Sequence, residues 1–275
     1  MGVKNVPQKV CLTIAGLDPS GGAGLIADIK TFSAFGCFAA AVISSVTFQN
    51  TTGVFGAVHQ DAGSIRGQAD AVFDDLDAAA VKTGMMPTRE VISEIAAILK
   101  ERSVTKLVVD PVVRSTSGYD LIDDRALRIL IEKLFPLSLL VTPNTAEAER
   151  ISGVQIRTRS DIEKAAKTIL SMGAANVLMK GGHFLDASTP EKKARDVLFV
   201  ATGGSREFEA DYIETTATHG TGCTLAAAIT ANLALGKDLT AAVSISKRFV
   251  THAIATSKQL GRGHSPINIK QVAGD

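Results

Sequence analysis

The sequence has no tryptophan and only two tyrosines. Stacking platforms for nucleic-acid bases and the aromatic belts of membrane proteins need such rings, so neither is expected. An excess of charge is missing too. The 29 Lys+Arg face 28 Asp+Glu, a formal charge of +1, without the basic footprint of a nucleic-acid binder. The three cysteines, Cys11, Cys37 and Cys223, are odd in number and far apart in the chain, and no CxxC pair occurs. This supports neither a zinc knuckle nor a disulfide framework and fits a reducing cytoplasm. The first residues, Met-Gly-Val-Lys-Asn-Val-Pro-Gln-Lys, lack the apolar stretch of a signal peptide. Neither GxGxxG nor GxxxxGK followed by Ser or Thr is present, so the dinucleotide and P-loop fingerprints are absent.

Charge is also missing locally, from residue 31 to residue 60. Gly36 and Gly53 punctuate that run, and Ser44, Ser45, Thr47, Gln49 and Asn50 dilute it. A helix end, a buried strand and a loop are expected there rather than a membrane span. What the chain does have is 45% hydrophobic and 21% charged residues over 275 positions. That composition excludes disorder and allows a sizeable core, and residues 1–275 read as one domain without linker or repeat.

Short apolar runs alternate with amphipathic stretches. Strands are expected at 10–15, 40–47, 78–82, 106–110, 139–142 and 177–180, mostly without period-two alternation, as in strands buried on both faces. Helices are expected at 24–35, 65–76, 89–102, 123–134 and 160–172, with Asp123 and Ser160 as N-caps. The pattern predicts a mainly parallel sheet covered by helices on both sides. Lys193–Val200 and Ser205–Asp211 read as a hairpin, followed by helices at 222–235 and 239–260.

In such a sheet, ligands bind beyond the carboxyl ends of the strands, so residues closing each strand are the candidates. Ala15-Gly16-Leu17-Asp18-Pro19-Ser20-Gly21-Gly22-Ala23-Gly24 leads into a helix whose N-terminus favours an anion or polar group, or is simply a tight turn. Thr218-His219-Gly220-Thr221-Gly222-Cys223 precedes a helix of small residues and forms an anion-binding concavity. The dipole and amides there are expected to favour the Cys223 thiolate, the alternative being a buried, inert thiol. Cys11 and Cys37, in apolar strand-like surroundings, are expected to be inert. Thr142, Asn144 and Glu147 close another strand, although Asn144 with Glu147 equally fits a helix cap. Asp110 suits Mg²⁺ or water, and Lys180 in Lys180-Gly181-Gly182-His183 suits a phosphate. The Gln49 amide suits a planar heterocycle or a turn. Together these groups point to phosphoryl transfer from a nucleotide.

The Gly-Thr-Gly-Cys at 220–223 resembles the Gly-Thr-Gly-Asp anion-hole motif of the ribokinase-like superfamily, with cysteine in place of aspartate. Four stretches resemble the bacterial hydroxymethylpyrimidine/phosphomethylpyrimidine kinases of thiamine biosynthesis. They are Ile14–Phe32 with its four glycines, Gln49-Asn50-Thr51, Leu178–His183 and Thr218–Leu225. The resemblance covers nearly the whole chain. It implies a ribokinase-like three-layer α/β/α fold with a mainly parallel central sheet. It also implies ATP and Mg²⁺, a homodimer, and successive phosphorylation of 4-amino-5-hydroxymethyl-2-methylpyrimidine and its monophosphate. Carried over, Gln49 would pair with the aminopyrimidine edge, and Asp28, Ala23, Gly16, Met85 and Val112 would border the same pocket. Cys223 would be the base, with Gly220, Thr221 and Gly222 holding the transferred phosphoryl group. Asp110, Thr142, Asn144 and Glu147 would form the nucleotide side, Asp110 and Glu147 facing Mg²⁺ and Lys180 the phosphates. Departures from the family pattern are Leu17, Phe48 and Arg114. Rival readings are a pyridoxal-type vitamin kinase, a thiol hydrolase using Cys223 with His219 or His183, and a non-catalytic vitamin-binding module.

Overall fold

Adjacent residues of the central strands enter different cores. Leu12, Val81, Leu107, Val109 and Val177 join one large apolar cluster, while Cys11, Ala80, Val108 and Leu178 face the other side of the sheet. Period-two geometry with both faces covered is why these strands read as unbroken apolar runs. The computed structural model describes residues 8–115, 118–181 and 193–270. Its elements are β1 (Val10–Leu17), α1 (Gly24–Ala34), β2 (Phe38–Asn50), β3 (Gly53–His59), α2 (Ala62–Phe73), β4 (Ala78–Thr83), α3 (Arg89–Glu101), β5 (Leu107–Val109), α4 (Asp124–Leu134), β6 (Leu140–Val141), α5 (Thr145–Ser152), α6 (Arg159–Ser171), β7 (Asn176–Lys180), β8 (Lys193–Val200), β9 (Ser205–Asp211), α7 (Thr221–Ala234) and α8 (Leu239–Ala255).

The strands form one nine-stranded sheet in the order β3-β2-β1-β4-β5-β6-β7-β8-β9. From β2 to β7 neighbours run parallel, and β3, β8 and β9 are antiparallel additions at the two ends. Helices α2 to α6 bury their apolar stripes on one face, and α1, α7 and α8 on the other. This is the expected three-layer architecture.

Helix α7 carries the argument from fold to site. Every residue from Thr224 to Ala234 is buried, so α7 has no solvent face, and its run of alanines lets the backbone lie close to the sheet. A helix packed on all sides fixes the position of its own N-terminus.

Three local expectations are corrected. The uncharged segment after β2 is not a loop: Thr51 and Thr52 turn the chain and β3 pairs back on β2. Helix α6 is capped by Thr158, not Ser160, because Thr158 and Asp161 complete a reciprocal capping box. Helix α8 stops at Ala255, and the following segment returns to the β2–β3 turn, where a side chain on Gly261 or Gly263 would collide with Thr51. Among the described residues no helix is long and apolar enough to cross a membrane.

Candidate active site

The loops after β1, β4, β5 and β6 and the end of β7 meet the N-terminus of α7 around a cavity of about 160 Å³. The glycines of the first loop permit this meeting. Gly220 has φ +82°, and a Cβ there would overlap the Gly22 carbonyl; Gly24 has φ +54°, and a Cβ there would overlap the Gly16 carbonyl. The two loops therefore touch backbone to backbone, a contact open only to glycine.

Asp18 locks this contact. Its carboxylate accepts from the Ser20 amide at 2.8 Å, the Ser20 hydroxyl at 2.7 Å, the Ala23 amide at 2.9 Å and His219 Nε2 at 2.8 Å. Burial works against its charge, but the bonds from His219 and Ser20 hold the carboxyl below its usual range. His219 is fixed from behind as well, its amide donating to the Ser265 carbonyl at 3.2 Å. Gln49 is oriented on the same wall: the Thr47 hydroxyl donates to its Oε1 at 3.2 Å, and its Nε2 lies 3.4 Å from His219 Nε2.

On the opposite wall, Lys180 Nζ donates to Asp110 Oδ1 at 2.9 Å and lies 3.8 Å from Glu147 Oε2. Burial opposes the ammonium charge, yet Asp110 and Glu147 more than offset this and hold Lys180 above the ordinary lysine range. Burial also opposes the Asp110 charge, and Lys180 and Lys82 override it, so Asp110 sits below its usual value. Glu147 is pushed up by burial and by Asp110, with Lys180 offsetting part of the rise. A Cβ on Gly222 would lie 3.2 Å from Lys180 Nζ, so glycine keeps the lysine against the first turn of α7. That helix starts without a side-chain cap; the Thr221 amide turns back to the Thr218 carbonyl, and the Gly222 and Cys223 amides that follow are the ones presented to an anion.

Most of the expected residues converge here. Gly16, Ala23, Gln49, Met85, Asp110, Val112, Asn144, Glu147, Lys180 and the 220–223 turn all line the cavity. Gly16 makes room for Met85, since a Cβ there would come within 2.8 Å of its sulfur. Two do not reach it. Asp28 is fully buried behind the wall, where its Oδ2 accepts from Lys82 Nζ at 2.8 Å and the Thr13 hydroxyl at 2.6 Å. Thr142 is likewise buried and donates to Asp110 Oδ1 at 3.0 Å, orienting the carboxylate rather than touching a ligand. Asn144 both lines the cavity and completes the capping box with Glu147, so the two readings left open by the sequence hold together. Of the departures, Arg114 lines the cavity and pairs with Asp120 at 2.9 Å, whereas Phe48 points to solvent at 55% exposure.

The expected Cys223 thiolate is corrected. Burial, with Asp110 and Asp28 nearby, pushes the thiol up to about 11, against the opposing pull of Lys82 and the Gly24 amide. Roughly one thiol in ten thousand is then ionised at pH 7. Alkylation of Cys223 by iodoacetamide should therefore accelerate about tenfold per pH unit from pH 7 to pH 10. A rate already at its plateau at pH 7 would show an activated thiolate instead. In the hydrolase reading His219 would serve as the base, but its Nε2 is committed to Asp18 at 2.8 Å. Gly182 and His183 lie outside the described residues. Cys11 and Cys37 are buried, as expected, and share the apolar layer with Phe32, Ala80 and Ala227.

Asp18, Thr47 and Lys82 were not singled out by the sequence pattern as site residues, and His219 entered only as a partner of Cys223 in the hydrolase reading. Lys82 carried a usable signal: like Lys180, it ends an apolar strand just before a glycine turn.

The phosphomethylpyrimidine kinase family model matches residues 18–268. The chain belongs to this family. A Haemophilus influenzae protein named hydroxymethylpyrimidine/phosphomethylpyrimidine kinase is 40% identical over 260 residues, covering 94% of this chain and 96% of that one. A Geobacter sulfurreducens thiamine biosynthesis bifunctional protein is 43% identical over 262 residues; this chain spans 52% of its length. Among solved structures, phosphomethylpyrimidine kinase from Clostridium difficile superposes with a TM-score of 0.78 at 43% identity, covering 90% of this chain and 100% of that one. The pyridoxal kinase of Staphylococcus aureus in complex with AMP-PCP and pyridoxal superposes with a TM-score of 0.87 at 29% identity, covering 97% and 95%. Both superpositions agree with the ribokinase-like architecture, and the identity runs higher toward the pyrimidine kinase.

Proposed function

We propose that this chain transfers the terminal phosphoryl group of ATP to the hydroxymethyl oxygen of 4-amino-5-hydroxymethyl-2-methylpyrimidine, and then a second one to the resulting monophosphate. The observation that supports it most, in a chain of this family, is the uncapped start of α7 with Lys180 held against Gly222. Amides and an ammonium aimed at one point suit the equatorial charge of a phosphoryl group in flight.

The walls divide the work. Gln49, preset by Thr47, is the amide for the heterocycle edge, and Met85 and Val112 offer apolar contact to the ring. Asp110 and Glu147 form the donor side. Two buried carboxylates give the hard oxygen donors that Mg²⁺ takes alongside phosphate and water, so the residues fit that ion. When bound, Mg²⁺ would neutralise phosphate charge beside them. Thr142 and Asn144 hold the two carboxylates in place. Cys223, at the junction of the walls, is the proton acceptor for the hydroxyl through its minor ionised form. The exposed Phe48, Phe55 and Val58 on the β2–β3 hairpin support a self-association face and hence a homodimer. Free buried thiols at Cys11 and Cys37 suit a reducing cytoplasm.

ADP release measured with the hydroxymethylpyrimidine and with pyridoxal tests the reading. ADP formation dependent on the pyrimidine is expected; ADP formation with pyridoxal alone would favour the other vitamin. The amide assignment has its own check. Gln49→Leu leaves a polar ligand edge unpaired, on the order of 1–3 kcal/mol. It should raise the pyrimidine KM and leave the ATP KM near wild type. Equal rises in both would show a disturbed fold instead.

A further inference from the structure

Four elements place a polar side chain in one layer, and the spacing of the chain dictates it. Cys11, Phe32, Ala80 and Ala227 pack together between the sheet and helices α1 and α7. Two residues further along each strand are Thr13 on β1 and Lys82 on β4; one turn back along each helix are Asp28 on α1 and Cys223 on α7. Side chains repeat every second residue on a strand and about every fourth on a helix. The four therefore sit directly above the apolar layer, toward the cavity. The hydrogen bonds agree: Asp28 Oδ2 takes both Lys82 Nζ and the Thr13 hydroxyl. Lys82 and Cys223 line the cavity, and Asp28 does not. Both partners are fully buried, and of the two it is Lys82 that forms part of the cavity wall, together with Cys223.

We propose that Lys82 is the fixed cation for the acceptor of the second transfer, and so sets the balance between the two steps. The inference rests on the two-step kinase reading. In the first step the acceptor is a neutral hydroxyl: its oxygen bonds to the γ-phosphorus, the bridge to ADP breaks, and the hydroxyl proton passes to the Cys223 sulfur. In the second step the acceptor is an oxygen of a phosphate monoester, which carries about −1.5 to −2 charge at pH 7 and has no proton to lose in its dianionic form. The new bond again forms as the bridge to ADP breaks. That extra charge must enter a cavity already lined by Asp18, Asp110 and Glu147. Lys180 is occupied by Asp110 and Glu147 on the donor side. Lys82 has Asp28 as its partner, placed behind it.

The test compares both transfers in one sample of Lys82→Met and of the double variant Lys82→Met with Asp28→Asn. The double variant removes both charges, so no unpaired carboxylate stays buried. Each is assayed for ADP with the hydroxymethylpyrimidine and, separately, with its monophosphate. Both rates should fall, and kcat/KM for the monophosphate should fall roughly ten- to a hundredfold further than that for the alcohol, the scale of losing one preorganised charge. A partly unfolded sample lowers both rates alike and leaves their ratio unchanged, so the ratio reads Lys82 and not stability. An unchanged ratio in both variants would overturn the assignment of Lys82 while leaving the kinase reading intact. Wild-type protein that releases no ADP with either acceptor would overturn the kinase reading and this inference with it.

Discussion

Lys180→Met should cut kcat by roughly 10²–10³, the scale of removing one preorganised donor from a developing charge, and should weaken ATP binding in the same variant. The ammonium lies against the first turn of α7 and between two buried carboxylates, so a phosphate there meets charge and amides together. Both transfers should suffer, because both use one donor site. The pyrimidine affinity without nucleotide should stay as in wild type. Separate calorimetric titrations with ATP–Mg²⁺ and with the pyrimidine decide this; unchanged nucleotide affinity with unchanged turnover would remove Lys180 from the site. Stability enters as well. With the cation gone, Asp110 and Glu147 face each other in burial, a loss on the order of 3–5 kcal/mol for an orphaned buried partner. Its pH dependence has a definite sign. In wild type Asp110 is held low, which stabilises the fold above the ordinary carboxylate pKa and is lost as pH falls through the folded value. In the variant both carboxyls move up and take protons first, so the stability gap should be widest near pH 7 and narrow toward pH 4.

Cys223→Ala should lower kcat of the first transfer by roughly 10²–10⁴, the range for a positioned proton acceptor. The fold should hold, because the thiol is only half-buried at the cavity. The second transfer should lose less, since its acceptor oxygen is already ionised. Cys11→Ala and Cys37→Ala are the controls. Both thiols are buried in the apolar layer, so these variants should lose stability and keep their chemistry. Full first-step activity in Cys223→Ala would mean that the amides suffice and that the thiol is not the base.

The fold was largely readable because its strands are buried on both faces and its helices carry clear stripes and caps, as with Asp123, which accepts from the Ala126 amide. The β3 strand was not readable. It sits at the sheet edge, with Phe55 and Val58 exposed, so no buried pattern marked it. The site was readable where residues announce themselves by strand-end position, as Asp110 and Lys180 do. It was not where a role depends on a distant partner. Asp18 and His219 are 201 positions apart and meet only because Gly22 and Gly220 let two loops touch. The motif puts Asp28 in the pocket, but its place on α1 keeps it behind the wall, where it binds the cavity-lining Lys82. For Cys223 the helix dipole suggested a thiolate, and burial beside carboxylates outweighed it.

The most direct test is a phosphorus NMR time course of the wild-type protein with ATP–Mg²⁺ and the hydroxymethylpyrimidine. A monophosphate resonance should rise first and then give way to a diphosphate, with two ADP released per pyrimidine consumed. A spectrum in which ATP stays intact, or in which no pyrimidine phosphate forms while pyridoxal is phosphorylated under the same conditions, would contradict the assignment.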